Sequence, residues 1–561
     1  MTRRPRPLAV LAVGAAALTA GACMATGEGR RPPLDDFLYP VGLAVSPNGH
    51  VLWVANSDFD LAFNGGTVLS LDLDAIRADE AKVRKNPGDP SLPLAQGPVG
   101  SGDCPGAPPA SVPLSSVRQP QTQTCAPPVR TGAYVKDGVV IGAFATRVDY
   151  RDGRLFVPTR GDTSLLWADV TGDEGDLTLP ASNALSPYHL GCGSRVDGHC
   201  DEAHRAGTAS TASATGSAYT MPAEPFGLGF SSDSSLLLVT HQTSGAVSLF
   251  SSGIGAATER GAPRLEHVLT GVPSGGTDVV EIPHDRDAYR GCAGRACGVA
   301  PGPTFLTSSR VTAALVRLRY LSDDSGASPV RPVLAGELAT NLGGSPSGFD
   351  VRSLAIDASG RLACKALVAA ATQPRTATEL DREYRRCARL PARLYAASRT
   401  PSTLVLAQVG RNTDPDDPAY DPDALTFVRA EPVPSGVARI ALGPVIDRFG
   451  LFAPRLFTVS FDTNTVEIHD PDTLAVEQSI RTAQGPFALA FDPFDPAEVA
   501  ERRIAPRDAT ARPRFRFAYV ASFTKSAVQL IDLDASSSRG ATYGTVVFTL
   551  GKPGSPAEKG L

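Results

Sequence analysis

The feature that most limits the fold of this chain is a short hairpin pattern that recurs along it. The stretch "PVGLAVSPNGHVLWVANS", residues 40–57, predicts two short β-strands joined by an Asn-Gly turn. Two strands alone are at best marginally stable in water, so this hairpin must belong to a larger assembly. Similar inner strands with turn residues recur six more times, as "TRVDYRDG", "FGLGFSSDS", "TDVVEIPHD", "VRSLAIDASG", "VARIALGPVID" and "PFALAFDPFD".

Each copy is followed by a second strand and by a third one with period-two alternation, and several copies have a fourth. Seven such units predict an all-β chain, a seven-bladed β-propeller of four-stranded antiparallel blades. Six or eight blades are alternatives, and so is a pair of β-sandwiches, although the regular recurrence argues against it. The first unit begins with an inner strand and the last ends with the outer strand "TVVFTLG". We therefore expect the ring to close by packing between blades and not by a shared strand.

Two stretches resemble YVTN-type propeller repeats: "AYVASFTKSAVQLIDL", residues 518–533, and "LWVANS" with "GGTVLSLDL" within residues 52–73. The resemblance implies a propeller over most of residues 39–550 and hardly specifies function. YVTN-like propellers are similar to lactonases and to some cofactor-dependent oxidoreductases, whose sites lie at the central channel. An enzyme of that kind would need acidic or histidine side chains converging from several inner strands. The acidic candidates on the inner strands are Asp149, Asp278, Glu281 and Asp350.

The chain is longer than seven blades of roughly 40–50 residues require, and its surplus falls in a few long connections. Because strands in a blade are antiparallel, first-to-second and third-to-fourth connections leave by the same face. All the large insertions are therefore expected to decorate one face of the disc, where long loops on a rigid scaffold commonly carry function. Loops that only cover and staple that face are the alternative. The expected insertions are residues 77–130, 171–215, 285–301, 361–392 and 495–514.

The N-terminus predicts a targeting segment, with three arginines, an apolar run over residues 8–20 and then small residues. "AGAC", residues 20–23, resembles the lipobox of bacterial lipoproteins, which implies lipidation of Cys23 and anchoring to a membrane; ordinary secretion with cleavage nearby is the alternative. In that family Met24, rather than Asp, favours the outer membrane, on its periplasmic or cell-surface side. The expected organisation is a signal peptide at 1–22, a short tether at 23–38, the propeller at 39–553 and a flexible tail at 554–561.

Eight further cysteines fall into four neighbour pairs, which predict local disulfides in an oxidising compartment. The pairs are Cys104 with Cys125, Cys192 with Cys200, Cys292 with Cys297, and Cys364 with Cys387. A metal site formed by Cys192, His199, Cys200 and His204 is the alternative for one pair, although the spacing is not that of structural zinc sites.

Two insertions contain a further recognisable pattern. "TATELDREYRRCARL", residues 376–390, predicts an amphipathic helix with Thr378 as its cap, tied back to Cys364 by Cys387. "NTDPDDPAYDPDAL", residues 412–425, is acidic and offers weak candidate ligands for Ca²⁺, although it lacks the pattern of an EF-hand loop. The candidates in the acidic loop are Asp414, Asp416, Asp421 and Asp423.

Composition and motifs favour binding over catalysis. The net charge of −5 over 561 residues and the lack of a basic stripe argue against nucleic acid as a partner. Common hydrolase, zinc-protease, haem-attachment and phosphate-loop motifs do not occur, so we expect no cofactor. The leading hypothesis is an envelope lipoprotein that presents its looped face to a protein or polymer partner. A lactonase-like hydrolase or an oxidoreductase with a site at the channel is the alternative.

Overall fold

Seven four-stranded antiparallel sheets follow one another along the chain, which confirms the seven-bladed propeller. The computed structural model describes residues 29–86, 89–95, 128–171, 175–254, 260–290, 302–323, 330–341, 349–411, 419–505, 515–536 and 542–561. Cys23, four of the paired cysteines (Cys104, Cys125, Cys292 and Cys297) and the candidate Ca²⁺ ligands Asp414 and Asp416 lie outside this range.

In each blade the four main strands follow one another in chain order from the channel outward. Blades 1 to 4 consist of Pro40–Val45, Val51–Asn56, Gly66–Asp72 and Val135–Ile141; Asp149–Arg151, Arg154–Thr159, Ser164–Asp169 and Arg205–Ala206; Pro225–Phe230, Leu236–His241, Ala246–Ser251 and Arg264–Thr270; Gly276–Ile282, Thr304–Ser309, Ala314–Asp323 and Val330–Asn341. Blades 5 to 7 consist of Phe349–Asp357, Ala392–Thr400, Ser402–Arg411 and Asp421–Pro432; Val437–Ile446, Phe452–Ser460, Thr465–His469 and Val476–Arg481; Pro486–Phe491, Phe517–Ser522, Ala527–Asp532 and Val546–Leu550.

Seven apolar clusters hold the blades together, one at each interface between neighbours. Period-two alternation divides the side chains of a strand between two interfaces. In blade 6, for example, Leu456 packs toward blade 5 and Phe457 toward blade 7. The interface between blades 7 and 1 has its own cluster, which includes Tyr519 and Val54. Packing of blade 1 against blade 7 therefore closes the ring, as the order of the strands predicts.

The closure has one further element that the sequence pattern does not reveal. Pro128–Val129, at the end of the blade 1 insertion, pairs in parallel with Val546–Leu550 and becomes a fifth strand of blade 7. A two-residue strand is too short to show alternation, so no periodicity marks it. It covers the outer edge of blade 7 and ties the two ends of the ring together.

Both ends of the described chain are docked, which corrects the expectation of a free tail at 554–561 and shortens the tether expected at 23–38. Residues Pro556–Lys559 form a short helix capped by Ser555. Lys559 Nζ lies 2.9 Å from Asp36 Oδ1 and 2.9 Å from the Ser526 carbonyl oxygen. Phe37 is fully buried in the cluster between blades 1 and 7.

The insertions lie where the strand order places them, between first and second or third and fourth strands. They contain the helices Leu73–Lys85, Ser359–Ala370, Ala377–Ala388 and Pro496–Ala500 and the 3₁₀ turns Thr131–Ala133, Glu202–His204 and Arg286–Tyr289. We call the face on which they lie the decorated face, and the other one the undecorated face. The blade 2 insertion ends earlier than expected, so the helix Ala209–Thr215 belongs to the connection to blade 3.

The helix expected at 376–390 is present as Ala377–Ala388, but its cap is Thr376 and not Thr378. Thr376 and Glu379 form the reciprocal hydrogen bonds of a capping box. Within the residues that the structure describes, no helix is both long and apolar enough to cross a membrane.

Candidate functional site

The insertions of blades 4, 5 and 7 pack together on the decorated face. Lys365 of the blade 5 insertion reaches Asp285 and Asp287 of the blade 4 insertion, at 2.6 and 2.7 Å. Arg389 Nε donates to the Ala288 carbonyl oxygen at 3.1 Å, and its guanidinium lies over the ring of Tyr420. These links between charged groups and backbone fix the insertions of neighbouring blades relative to one another.

A disulfide between Cys364 and Cys387 joins the two helices of the blade 5 insertion, as predicted. Arg361 extends from the first of these helices and is only 5% exposed. Its Nε donates to the Leu390 carbonyl oxygen at 2.7 Å, and its Nη1 donates to the Pro283 carbonyl oxygen. The helical pair is thus held from within and from the neighbouring blade.

Beneath these insertions lies a cavity of about 520 Å³, which we call the insertion pocket. Its volume falls in the range of small-molecule and peptide side-chain sites. The apolar residues of its lining include Ile356, Leu362, Leu442, Pro454, Phe494 and Val499. The polar groups Asp285, Arg361 and His284 also line it. The pocket therefore combines an apolar floor with charges held in place by their own partners.

The acidic loop residues Asp421 and Asp423 lie beside this region, but their arrangement differs from a calcium site. Asp423 is 4% exposed, and its carboxylate lies 2.7 Å from His284 Nε2 and 3.2 Å from Arg319 Nη2. Asp421 Oδ1 accepts a hydrogen bond from the backbone N–H of Asp423. Groups of the protein itself thus occupy carboxylate oxygens that a calcium ion would use.

The cysteines of the proposed metal alternative form a disulfide, Cys192–Cys200, as the pairing of neighbours predicts. His204 Nδ1 lies 2.6 Å from Asp201 Oδ1, and its ring packs against Trp167. Over the described ranges, no three His, Cys, Asp or Glu side chains are placed to hold a metal ion together.

Three of the four acidic candidates, Asp149, Asp278 and Glu281, line one cavity of the channel, but each is already bound by an arginine or a backbone group. Arg147 bridges Asp149 and Asp278, at 2.7 and 3.1 Å. Asp350 is held by Arg352 at 2.6 Å. Each of the three aspartates is thus bound to a guanidinium of the protein itself.

The fourth candidate, Glu281, lines the same channel but bonds elsewhere. Its Oε2 accepts from the backbone N–H of Ser232 at 2.6 Å, and burial raises its pKa to about 7. A half-protonated carboxyl could move a proton at neutral pH. After burial, the nearby charge of Asp233 also contributes to raising the pKa of Glu281.

The channel contains one group that the acidic candidates do not include, Arg439 on the innermost strand of blade 6. It lines two cavities: the channel cavity, of about 260 Å³, shared with Arg147, Asp278 and Glu281, and the mouth cavity, of about 190 Å³, which opens to the undecorated face. Burial, and next the nearby Arg147, lower the pKa of the Arg439 guanidinium to about 10.

An aromatic cluster surrounds the mouth cavity. Phe523, in the loop between the second and third strands of blade 7, contacts the rings of four other residues at centroid distances of 5.0–6.1 Å. These four are Tyr39, Phe59, Phe461 and Phe487. Phe59 is 55% exposed, which is unusual for a ring of this size.

Comparison with known proteins adds a fold and no function. No protein-family profile matches the chain, and no curated protein matches it in sequence. In all, 519 chains of solved structures match it in shape. The class that the architecture defines is the β-propeller.

Three of these structures show how low the similarity in sequence and in shape is. A proposed 6-phosphogluconolactonase from Bacteroides fragilis is 12% identical, with a TM-score of 0.40, over 80% of this chain and 86% of its own. Kuenenia stuttgartiensis hydrazine synthase is 9% identical, with a TM-score of 0.41, over 91% and 98%. Sqt1 of Saccharomyces cerevisiae is 8% identical, with a TM-score of 0.39, over 94% and 90%. Likeness at this level carries no argument about activity.

Proposed function

We propose that this chain is a membrane-anchored β-propeller lipoprotein of the bacterial outer membrane that binds a protein or polymer partner through its decorated face. The observation that carries the proposal is the insertion pocket. Three insertions from different blades, two of them joined by ion pairs and one held by a disulfide, build a largely apolar cavity together with strands of blade 6. Rigid loops around an apolar cavity with few fixed charges are typical of binding sites.

The position of the N-terminal segment supports the orientation that this function needs. The Arg30 carbonyl oxygen accepts from the Asn64 N–H, and Asn64 lies in the loop between the second and third strands of blade 1. The segment therefore approaches the propeller at the undecorated face. If Cys23 is lipidated, the residues between it and Gly29 extend at most roughly 25 Å. The undecorated face would then lie near the bilayer, and the decorated face would point away from it.

We do not propose the enzyme alternative, because the acids that it needs are already bound by other groups of the protein. Arg147 forms ion pairs with Asp149 and Asp278, and Arg352 forms one with Asp350. A lactonase-like or oxidoreductase site would require several such groups to point at one substrate atom.

Site-specific photo-cross-linking in the intact envelope tests the proposal. A benzophenone side chain in place of Leu362, which lines the insertion pocket, should give one discrete cross-linked product. The same group in place of Val311, which is 61% exposed in a loop of the undecorated face, is the matched control. Equal products from both positions, or none from Leu362, would contradict a partner at the decorated face.

The partner recovered in this way should then bind the purified protein, and Leu362→Asp should weaken that binding at least tenfold while Val311→Asp leaves it unchanged.

The anchor is tested separately by mass spectrometry of the mature N-terminus. The expected species begins at Cys23 and carries acyl chains. An unmodified N-terminus at another residue would remove the anchor from the proposal and leave the binding face untouched.

A further inference from the structure

No carboxylate of the described residues contacts the guanidinium of Arg439, whereas Arg147 and Arg352 at the channel are both ion-paired. Arg151, which also lines the channel cavity, is exposed and lies over the ring of Phe230. Within the described part of the chain, the Arg439 guanidinium has no hydrogen-bond or ion-pair partner, although it lines both the channel and the mouth cavities. Burying an unpaired charge is unfavourable, and buried guanidinium groups are normally paired. An arginine kept in this state has a cost to the fold that a ligand would offset.

The nearest carboxylates are already engaged. Asp149 and Asp278 both bind Arg147. The second oxygen of Asp278 accepts from Ser353 Oγ at 3.1 Å and from the Leu354 N–H at 3.0 Å. These acids therefore bond to Arg147 and the blade 5 strand, and they act on Arg439 only from a distance, without direct contact.

The approach to Arg439 from the undecorated face is apolar. Phe226, Phe461, Phe487 and Phe523 line the mouth cavity. Two further arginines lie at the mouth, but each is bound by its own carboxylate: Arg352 by Asp350, and Arg399 by Asp462 at 2.9 and 3.1 Å. A molecule entering here meets aromatic rings first and one free positive charge at the end.

We propose that the central channel binds a small organic anion, with its carboxylate or phosphate on Arg439 and its apolar or aromatic body among the rings of the mouth cavity. A guanidinium offers two parallel N–H donors to either headgroup. Aromatic rings accept an apolar body by edge-to-face packing. The volumes of the two cavities together match the lower end of the range for ligand sites, so the ligand is small.

This site is distinct from the insertion pocket, although Ile356 lines both the pocket and the channel cavity. Its mouth opens to the opposite face, and Leu362, which would be altered to test the proposed function, lines neither of its two cavities. The failure of either proposal leaves the other standing.

Isothermal titration of the mature chain in chloride buffer tests the inference with four probes. Phenylacetate and phenyl phosphate carry both features of the expected ligand, benzyl alcohol lacks the charge, and inorganic phosphate lacks the ring. We expect binding of at least one aromatic anion, at least tenfold weaker binding of inorganic phosphate, and no binding of benzyl alcohol. Comparison of the first two probes identifies the preferred headgroup.

Variants locate the binding. Arg439→Gln should lower the affinity for the aromatic anion at least tenfold, and Arg439→Lys should retain part of it. Arg455→Gln is the matched control, because Arg455 lies in the same blade and is paired with Glu477 at 2.6 Å, away from the channel. Phe523→Leu should weaken the aromatic anions and leave inorganic phosphate unchanged. Absence of heat with every probe, equal binding of benzyl alcohol, or unchanged affinity in Arg439→Gln would overturn the proposal.

Discussion

Replacement of Arg439 by methionine should stabilise the unliganded protein, which is the opposite of what most arginine substitutions do. Burial and the neighbouring Arg147 lower the pKa of the guanidinium to about 10. Each factor of ten in proton affinity corresponds to about 1.4 kcal/mol, so the charged form is destabilised in the folded protein by roughly 3 kcal/mol. Since the side chain keeps some solvent exposure, we take about 1–3 kcal/mol as the expected gain.

The sign of the pH dependence follows from the same shift. A base whose pKa is lower in the folded state destabilises the fold wherever it is protonated, and the effect is complete below that pKa. The penalty is therefore fully present at neutral pH and is relieved only as the pH rises above about 10. Methionine retains the length of the apolar stem and removes the charge, so it removes the penalty at every pH below this.

Scanning calorimetry in chloride buffer is the appropriate assay, because phosphate or sulfate would bind the wild-type protein and hide the difference. Unfolding entropy scales with chain length, so about 1–3 kcal/mol corresponds to a rise in Tm of roughly 1–3 °C for a domain of this size. Arg455→Met, which breaks the pair with Glu477, should leave Tm unchanged or lower it. A Tm for Arg439→Met below that of the wild-type protein would refute the view that Arg439 is an unpaired charge in the free state.

Three other predictions concern the frame around the site. His241 is buried between the Ala223 carbonyl oxygen and Ser248 Oγ, and burial lowers its pKa to about 4. The folded state should therefore lose about 3 kcal/mol of stability as the pH falls from 6.5 to 4. The variant His241→Gln should flatten the dependence of Tm on pH in this window. Asp492 accepts hydrogen bonds from Arg77, from Tyr519 Oη at 2.6 Å and from two backbone N–H groups. The variant Asp492→Ala should therefore destabilise the protein by about 3–5 kcal/mol, measured as a fall in Tm. An unchanged Tm would show that the blade 1 insertion is not held at this residue. The variant Cys364→Ser removes a disulfide that spans 23 residues and contributes about 3 kcal/mol to stability. It should speed proteolysis between the two helices of the blade 5 insertion. Equal cleavage rates in the variant and the wild-type protein would contradict a role for the disulfide in holding the insertion pocket.

The blades could be predicted from the sequence because each repeats a local pattern. Period-two alternation marks strands such as Ala527–Asp532, and the antiparallel order of four strands fixes on which face a connection must leave. The pairing of neighbouring cysteines also predicted the disulfides Cys192–Cys200 and Cys364–Cys387. The strand Pro128–Val129 was not predicted, because its pairing partner is more than 400 positions away and two residues are too few to show alternation. The docking of the C-terminal tail was not predicted for a related reason, since the contact of Lys559 with Asp36 joins opposite ends of the chain.

The channel site could not be predicted from acidic residues alone, but a comparison between repeats contains a signal for it. Arg147 and Arg439 hold the same place in "TRVDY" and "ARIAL", because Asp149 pairs with Phe156 and Ala441 pairs with Phe457 in their sheets. The two arginines therefore differ in the residue two places onward, which lies on the same side of the strand. Blade 2 has a carboxylate there and pairs its arginine, whereas blade 6 has alanine and leaves its arginine free.

This difference gives a gain-of-contact test of the inference. Ala441→Asp should supply Arg439 with the partner that Asp149 gives Arg147, so Tm should rise and affinity for the aromatic anion should fall at least tenfold together. Ala441→Asn is the matched control, because it has nearly the same shape without the charge and should change the affinity much less. A variant Ala441→Asp that still binds the anion as tightly as the wild-type protein would show that Arg439 does not hold the ligand. Because the two effects have opposite consequences for the protein, one favourable to the fold and one adverse to binding, general damage to the fold would not reproduce them.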